Sequence, residues 1–114
     1  MYNSKIIGLG KYLPDNVVKN SDLEIVMETS DDWIQERTGI KERRHISKGS
    51  KDSTSSMGVK ASKIAIERSG LLAQDIDLIL FATLSPDYYF PGSGVLVQEA
   101  LNIPDCPAMD IQIG

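Results

Sequence analysis

The sequence has little of several residue types on which common active sites depend. Its 114 residues include one cysteine, one histidine and one tryptophan, and aromatic residues make up only 6%. A single cysteine excludes an internal disulfide and fits a reducing compartment, so we expect a cytoplasmic protein. The single histidine, His45, and the missing cysteine cluster exclude a multi-histidine or multi-cysteine metal site, and we expect no bound metal.

Long hydrophobic runs and an excess of positive charge are also missing. Residues 1–10 have neither the basic start nor the long apolar stretch of a signal peptide or a membrane span. A net charge of -4 and an isoelectric point near 4.9 argue against nucleic-acid binding, which normally needs a basic surface. The 41% of hydrophobic residues is typical of a globular domain, and we expect neither a membrane nor a nucleic acid as a partner.

What the sequence does have is an alternation of apolar runs and amphipathic segments. The near-continuous apolar run at residues 77–85 predicts a strand buried on both faces of a parallel sheet. The fold class that follows is α/β, with a central, largely parallel sheet, flanking helices and no linker that divides the chain. The other predicted elements are strands at residues 5–10 and 107–113, an extended piece at 43–47, a short helix opened by Ser21 and Glu24 at capping-box spacing, and helices over 54–69 and 95–101.

The most informative segment is a short predicted helix around the only tryptophan, Trp33. Thr29 or Ser30 can cap its first turn, and Gly39 suits a left-handed cap after its last turn. Thr29, Trp33 and Arg37 are spaced by four, which places them on one face of a helix. A hydroxyl, a flat ring and a guanidinium together suit a nucleotide-bearing ligand, since the ring stacks on a base and the guanidinium pairs with phosphate oxygens.

The same residues also have a simpler interpretation. Tryptophan is a common packing residue, so Trp33 is more typical of a core anchor with Arg37 lying over it. From the residues alone, this packing interpretation is favoured over the ligand-binding one.

Other candidate sites favour structural roles. The basic run at residues 41–45 is a solvated face or an extension of a phosphate-binding rim. Cys106 is typical of a packing residue rather than a nucleophile. The Pro-Gly-Ser-Gly segment at residues 91–94 could bind an anion, but a turn that leads into the next helix is the simpler interpretation. The residues alone therefore support a ligand-binding half-site, and we assign no catalytic residue.

Taken together, four segments resemble one family, β-ketoacyl-acyl-carrier-protein synthase III, the thiolase-fold enzyme that starts fatty-acid synthesis. The most specific of them is the block Thr-Ser-Asp-x-Trp-Ile-x-x-Arg-Thr-Gly-Ile that begins at Thr29. The resemblance covers essentially the whole chain. Its four segments are residues 5–14, 20–24, 29–43 and 106–111.

The resemblance implies a thiolase-like layered fold of two duplicated halves with a largely parallel or mixed sheet, and residues 1–114 match most of the first half. In the family, the residues matching Trp33 and Arg37 flank coenzyme A, one against the adenine and one near the phosphates, with the hydroxyl matching Thr29 at the same site. The resemblance therefore reverses the preference and favours the coenzyme site. The family's nucleophilic cysteine would follow Gly114, and its histidine and asparagine lie further on, so we expect an incomplete domain.

The resemblance also implies a reaction and its partners. The family condenses an acyl-coenzyme A, typically acetyl-coenzyme A, with malonyl-acyl-carrier-protein in a decarboxylative Claisen condensation. Coenzyme A enters as the thioester substrate and not as a permanently bound cofactor. Acyl carrier protein is then a partner, and a homodimer forms through the sheet edge and the loop that contains Phe90.

Two alternatives stay open beside this reading. The chain is a non-catalytic module that binds coenzyme A or pairs with a separate chain, or it belongs to a related thiolase-fold condensing enzyme of secondary metabolism. The isolated chain is expected to be inactive and to aggregate or oligomerise, because its central strands lack the second half that would cover them.

Overall fold

The computed structural model describes residues 3–112 of the chain. Its elements divide between two compact units, a small unit formed by residues 13–52 and a large unit formed by residues 3–12 and 53–112. In chain order the elements are β1 (Asn16–Lys19), α1 (Asn20–Glu24), α2 (Asp31–Thr38), β2 (Glu42–His45), α3 (Thr54–Ser69), a 3-10 turn (Ala73–Asp75), β3 (Ile79–Ala82), α4 (Ser93–Ala100) and β4 (Ala108–Ile111).

In the small unit, an antiparallel pair of strands supports two short helices. β1 pairs with β2 so that Asn16 lies opposite His45 and Lys19 lies opposite Glu42. α1 begins directly after β1 and packs against both β1 and α2. The predicted extended piece at residues 43–47 is confirmed as β2.

The predicted short helix is confirmed as α1, but its capping residues differ from those expected. Asp22 accepts a hydrogen bond from the backbone N–H of Lys19 at 2.8 Å. Ser21 lies inside the helix and cannot cap it, because the extended backbone that precedes the first turn is at Lys19. Glu24 is therefore free for another contact, and it accepts a hydrogen bond from the backbone N–H of Asp31 at 2.6 Å.

In the large unit, two parallel strands carry two helices. Ile79 of β3 lies opposite Ala108 of β4, and Ala82 lies opposite Ile111. α3 packs against α4, and α4 contacts both strands. The predicted parallel pairing is confirmed, although each strand is shorter than the apolar run that predicted it.

The long helix α3 has the bounds that the sequence predicts, because both of its ends are marked locally. Ser53 accepts a hydrogen bond from the backbone N–H of Ser56 at 3.3 Å, and its own backbone N–H donates to Ser56 Oγ at 2.8 Å. Gly70 ends the helix with a φ of 74°, in the left-handed region that glycine adopts without strain.

Two carboxylates occupy the N-termini of the helices in the large unit. Asp110 accepts hydrogen bonds from the backbone N–H groups of Ser93 and Gly94 at 2.7 and 2.6 Å, where α4 begins. Asp87 Oδ2 accepts from the backbone N–H of Ser55 in α3 and from Ser93 Oγ, each at 2.8 Å. The glycine-containing turn thus leads into α4, and the first backbone N–H groups of that helix donate to a carboxylate of the protein itself.

Residues 5–10 do not form the strand that their apolar character predicts. No strand in the described part of the chain pairs with them, and a strand needs a neighbour to satisfy its backbone groups. The segment instead passes close to α3, where Gly8 and Gly10 approach the carbonyl oxygens of Ala65 and Ala61 and leave no room for a Cβ. Glycine at these two positions permits the close approach.

The prediction that residues 77–85 form a strand buried on both faces is also wrong for this chain. Phe81 is half-buried and lies next to Gly58 of α3, whereas Leu80 is 54% exposed and its neighbour across the ladder, Met109, is 52% exposed. The helices cover one face of the sheet, and the described residues supply no comparable cover for the other. The two strand pairs, one antiparallel and one parallel, still agree with the predicted α/β class.

We predict that Asp87→Asn lowers the free energy of unfolding at neutral pH by about 1–2 kcal/mol, because charge-assisted hydrogen bonds at two helix N-termini are weakened. Partial burial acts to raise the pKa of Asp87, but hydrogen bonds from Ser53, Ser93 and Ser55 outweigh it and the pKa is lowered. Urea unfolding followed by circular dichroism, repeated at several pH values, measures both effects.

The sign of the pH dependence follows from the lowered pKa. A carboxyl whose pKa is depressed in the folded state contributes stability that is complete above its unfolded pKa, about 4, and is lost as the pH falls through the folded value. The wild-type chain should therefore lose more stability than the Asp87→Asn variant as the pH falls below about 4. Parallel stability curves for the two proteins would contradict this role of Asp87.

Candidate functional site

The helix predicted around Trp33 is confirmed as α2, with caps at both ends. Ser30, and not Thr29, is the N-cap, and its hydroxyl oxygen accepts a hydrogen bond from the backbone N–H of Trp33 at 3.1 Å. Gly39 follows the last turn with a φ of 70°, as a left-handed cap requires. Acidic residues lie in the first turn and Arg37 in the last, where the helix dipole favours each charge.

Trp33 is not a core residue of the structure. Its side chain is 53% exposed, whereas the next residue, Ile34, is 8% exposed and is the buried residue of α2. The helix therefore packs through Ile34 and presents the indole at the surface. The interpretation of Trp33 as a core anchor does not hold in this structure.

The guanidinium of Arg37 lies over the indole of Trp33, 5.0 Å from the ring centroid. This distance is within the range of a cation–π contact and results from the four-residue spacing along the helix. Among the hydrogen bonds and ion pairs of the described residues, none involves the Arg37 side chain. Its donors are therefore not committed to a protein acceptor in the part of the chain that the structure covers.

Thr29 reaches the site by a different route from the one predicted. It precedes the N-cap and so does not lie on the helical face with Trp33 and Arg37, which corrects the predicted stripe of three. Thr29 instead lines a cleft of about 300 Å³ together with Glu28, Ser30 and Trp33. The structure thus places both Thr29 and Arg37 beside the indole, one at the cleft and one over the ring.

Two residues of this region have no strong signal in the sequence. Glu28 lines the cleft because it is adjacent to Thr29, and nothing in its own pattern marks it. Asn20 is 1% exposed and donates to Asp31 Oδ1 at 2.7 Å, which only the tertiary structure reveals. The hydrogen bond from Asn20, followed by that from Gln35, lowers the pKa of Asp31 because both bonds stabilise the charged carboxylate.

The basic run after α2 does not extend the site as a group. Arg43 donates to Asn20 Oδ1 at 2.5 Å, and Arg44 donates to the carbonyl oxygens of Pro14 and Asp15 at 3.4 Å. Both arginines are thus used within the small unit, which argues against a phosphate-binding rim built from the whole run.

Cys106 has the structural role that the sequence predicts. Its side chain is buried, and Gln98 donates to its carbonyl oxygen at 2.6 Å. Within residues 3–112, no cluster of His, Cys, Asp and Glu side chains has the arrangement of a metal site. In the same range, no helix combines the length and apolar character that a membrane crossing needs.

The loop around Phe90 presents a separate aromatic surface in the large unit. Tyr88, Tyr89 and Phe90 are 63%, 87% and 90% exposed. Three adjacent exposed aromatic side chains form an unusual patch for a protein surface.

Comparison with known proteins shows what the chain resembles. No family model matches it. The chain is 51% identical over 96% of its length to β-ketoacyl-acyl-carrier-protein synthase III 1 of Bacillus cereus and 45% identical over 97% to the synthase III of Clostridium novyi. It spans about a third of the length of these curated relatives, 34% and 33%.

Solved structures give the same result. The chain superimposes on 3-oxoacyl-acyl-carrier-protein synthase III from Aquifex aeolicus with a TM-score of 0.88 and 45% identity, covering 97% of this chain and 35% of that one. It also matches the priming β-ketosynthase of the R1128 polyketide pathway, with a TM-score of 0.86 and 28% identity over 96% of this chain and 32% of that one. The predicted resemblance and the predicted thiolase-like α/β fold are confirmed.

The exposure of Trp33 generates a prediction about stability. Trp33→Ala should lower the free energy of unfolding by less than about 1 kcal/mol, because it removes an exposed ring and one cation–π contact. The adjacent control, Ile34→Ala, should cost about 2–4 kcal/mol because it empties a buried position. Urea unfolding followed by far-ultraviolet circular dichroism measures both, and a larger loss for Trp33→Ala than for Ile34→Ala would return Trp33 to the core.

Proposed function

We propose that this chain is the N-terminal portion of a β-ketoacyl-acyl-carrier-protein synthase III and supplies the coenzyme A entrance of that enzyme. The observation that carries the proposal is the exposed pair of Trp33 and Arg37 beside the cleft lined by Thr29, in a chain 51% identical to a synthase III. The intact enzyme would condense an acyl-coenzyme A, typically acetyl-coenzyme A, with malonyl-acyl-carrier-protein.

The side chains at the cleft suit the parts of coenzyme A. The indole of Trp33 offers a flat apolar face on which an adenine can stack. Arg37 offers planar, permanently charged donors for phosphate oxygens, and Thr29 offers a hydroxyl for a polar edge of the base. The cleft, at about 300 Å³, is at the lower end of ligand pockets, which suits one base better than the whole coenzyme. Coenzyme A is here a substrate carrier and not a resident cofactor.

The covalent chemistry belongs to residues that this chain does not supply. In the family, a cysteine thiolate takes the acyl group from coenzyme A as a thioester. Malonyl-acyl-carrier-protein then loses carbon dioxide, and the resulting carbanion attacks that thioester, which releases the cysteine and forms the β-ketoacyl product. Cys106 does not replace the nucleophile, because it is buried and packed against Gln98. The chain on its own is therefore inactive.

The aromatic patch and the uncovered sheet face support a homodimeric parent enzyme. Phe90 is 90% exposed at the end of its loop, and Leu80 and Met109 are exposed on the sheet. Burying these side chains against a partner subunit and the second half of the fold removes a large apolar surface from water. Acyl carrier protein is the proposed second partner, and the cytoplasm the proposed compartment.

Among condensing enzymes, the comparisons favour fatty-acid synthesis over secondary metabolism. Identity reaches 45–51% with several proteins named β-ketoacyl-acyl-carrier-protein synthase III and is 28% with the polyketide priming enzyme, although the synthase III of Pseudomonas aeruginosa is also 28% identical. The polyketide enzyme has a similar backbone, so the fold does not distinguish the two classes. A non-catalytic module that binds coenzyme A is the other candidate, since the cleft alone would serve it.

The coenzyme site can be tested through the emission of Trp33, because it is the only tryptophan of the chain. We expect coenzyme A to change this emission saturably, since the adenine would stack on the ring. Arg37→Ala should raise the dissociation constant about tenfold by removing charge-assisted hydrogen bonds to phosphate. Lys48→Ala, which removes an exposed positive charge from a loop of the same unit, is the matched control.

Two results would contradict the coenzyme site. One is an emission that does not change with coenzyme A, and the other is an equal loss of affinity in Arg37→Ala and Lys48→Ala. The second result would mean that the affinity for coenzyme A depends only on the net charge of the small unit.

The inactivity of the chain is a separate prediction. Incubated with radiolabelled acetyl-coenzyme A and malonyl-acyl-carrier-protein, the chain should form neither an acetylated protein nor a condensed product, because it has no exposed thiol. A longer protein of the family, added to the same mixture, is the positive control for the reagents. Label that survives denaturation but is released by neutral hydroxylamine, which cleaves thioesters and not amides, would show that Cys106 reacts.

A further inference from the structure

Asn20 is the most deeply buried polar side chain of the small unit, at 1% exposure. It is the first residue of α1. Among the described residues, it makes no hydrogen bond to Trp33 or to the other residues that line the cleft. A buried carboxamide is retained only where its hydrogen bonds are satisfied, so its partners indicate its role.

The two N–H groups of the Asn20 carboxamide reach the two ends of α2. Nδ2 donates to Asp31 Oδ1 at 2.7 Å and to the carbonyl oxygen of Ile40 at 2.7 Å. Asp31 is the first residue of α2, and Ile40 follows the Gly39 cap. One side chain therefore holds the beginning and the end of the helix that carries Trp33.

The remaining groups of Asn20 join this helix to the strand that follows it. Oδ1 accepts from Arg43 of β2 at 2.5 Å, and the backbone N–H donates to the carbonyl oxygen of Lys41 at 3.3 Å. Arginine has only donors, and a carboxylate and a carbonyl oxygen have only acceptors, so these partners fix which end of the carboxamide is oxygen. Aspartate at position 20 would have no hydrogen for either end of α2.

Packing alone fixes α2 weakly. The helix has eight residues, and Ile34 is its buried residue. A helix of two turns is unstable in isolation, so its position depends on tertiary contacts. With a single buried apolar anchor, rotation about the helix axis would move Trp33 relative to Thr29 unless the ends are held.

We infer that Asn20 is a positioning residue for the coenzyme site, which acts by holding both ends of α2 so that the indole of Trp33 lies beside the cleft at Thr29. The inference rests on the proposed function. Asn20 acts through Asp31 and the Ile40 carbonyl and makes no contact with coenzyme A itself. Its loss should weaken coenzyme A binding in chains that are still folded.

The test uses the full 114-residue chain and follows the emission of Trp33 during a coenzyme A titration. Asn20→Ala removes both attachments, and Asp31→Ala removes only the one at the start of α2. We expect the dissociation constant to rise about three- to tenfold for Asp31→Ala and more for Asn20→Ala. A reversibly unfolded fraction raises the apparent dissociation constant by the reciprocal of the folded fraction, so urea unfolding of each variant supplies the folded fraction with which that constant is corrected.

Two further variants distinguish positioning from general stability. Asp31→Asn keeps an oxygen that accepts from Asn20, so it should restore the dissociation constant to within about twofold of the wild type. Asp22→Ala removes the exposed hydrogen bond to Lys19 at the start of α1, and among the described residues Asp22 makes no hydrogen bond to α2. It should lower the melting temperature without changing the dissociation constant.

Each outcome decides the inference. A rise in the dissociation constant for Asp31→Ala that Asp31→Asn reverses supports it, even where Asn20→Ala does not fold. Unchanged constants for Asn20→Ala and Asp31→Ala, or an equal rise for Asp22→Ala, overturn it and leave the proposed function standing. A wild-type chain whose emission does not respond to coenzyme A overturns the coenzyme site, and the inference with it.

Discussion

The first backbone N–H groups of a helix have no acceptor inside the helix, and in this chain carboxylates supply several of the acceptors, beside the hydroxyls of Ser30 and Ser53. Asp110 serves α4, Asp87 serves α3 and Glu24 serves α2. Each of these carboxylates comes from a different element than the helix it serves. The same bonds therefore fix where a helix begins and which element lies next to it, and in α2 the first turn determines where Trp33 lies.

The elements that the sequence predicts well are those with local signals. α3 has a serine before it and a glycine after it, and α2 has Ser30 and Gly39 in the same positions. Residues 5–10 have the apolar character of a strand, yet a strand exists only where a partner supplies the ladder, and composition carries no information about that partner. The same limit explains why β3 is half exposed although its sequence is typical of a buried strand.

The candidate site was predictable to the extent that helical spacing determines it. Trp33 and Arg37 are four residues apart, and the contact of 5.0 Å follows from that spacing. The same spacing rule failed for Thr29, because Thr29 lies before the N-cap and is not part of the helix. Asn20 was not predictable, because its partners at residues 31, 40 and 43 come together only in the folded unit.

The contact between Arg37 and Trp33 bears on how such a site would bind a nucleotide. A guanidinium that lies over a ring keeps its N–H groups directed outward in its own plane, so stacking leaves them available to phosphate oxygens. Holding the long arginine side chain on the ring also reduces the rotamer entropy that binding would otherwise cost. In the proposed site the indole would thus have two uses, as a surface for a base and as a support for the cation. Because α2 fixes both side chains, any contact that holds the ends of α2 affects both parts of the site together.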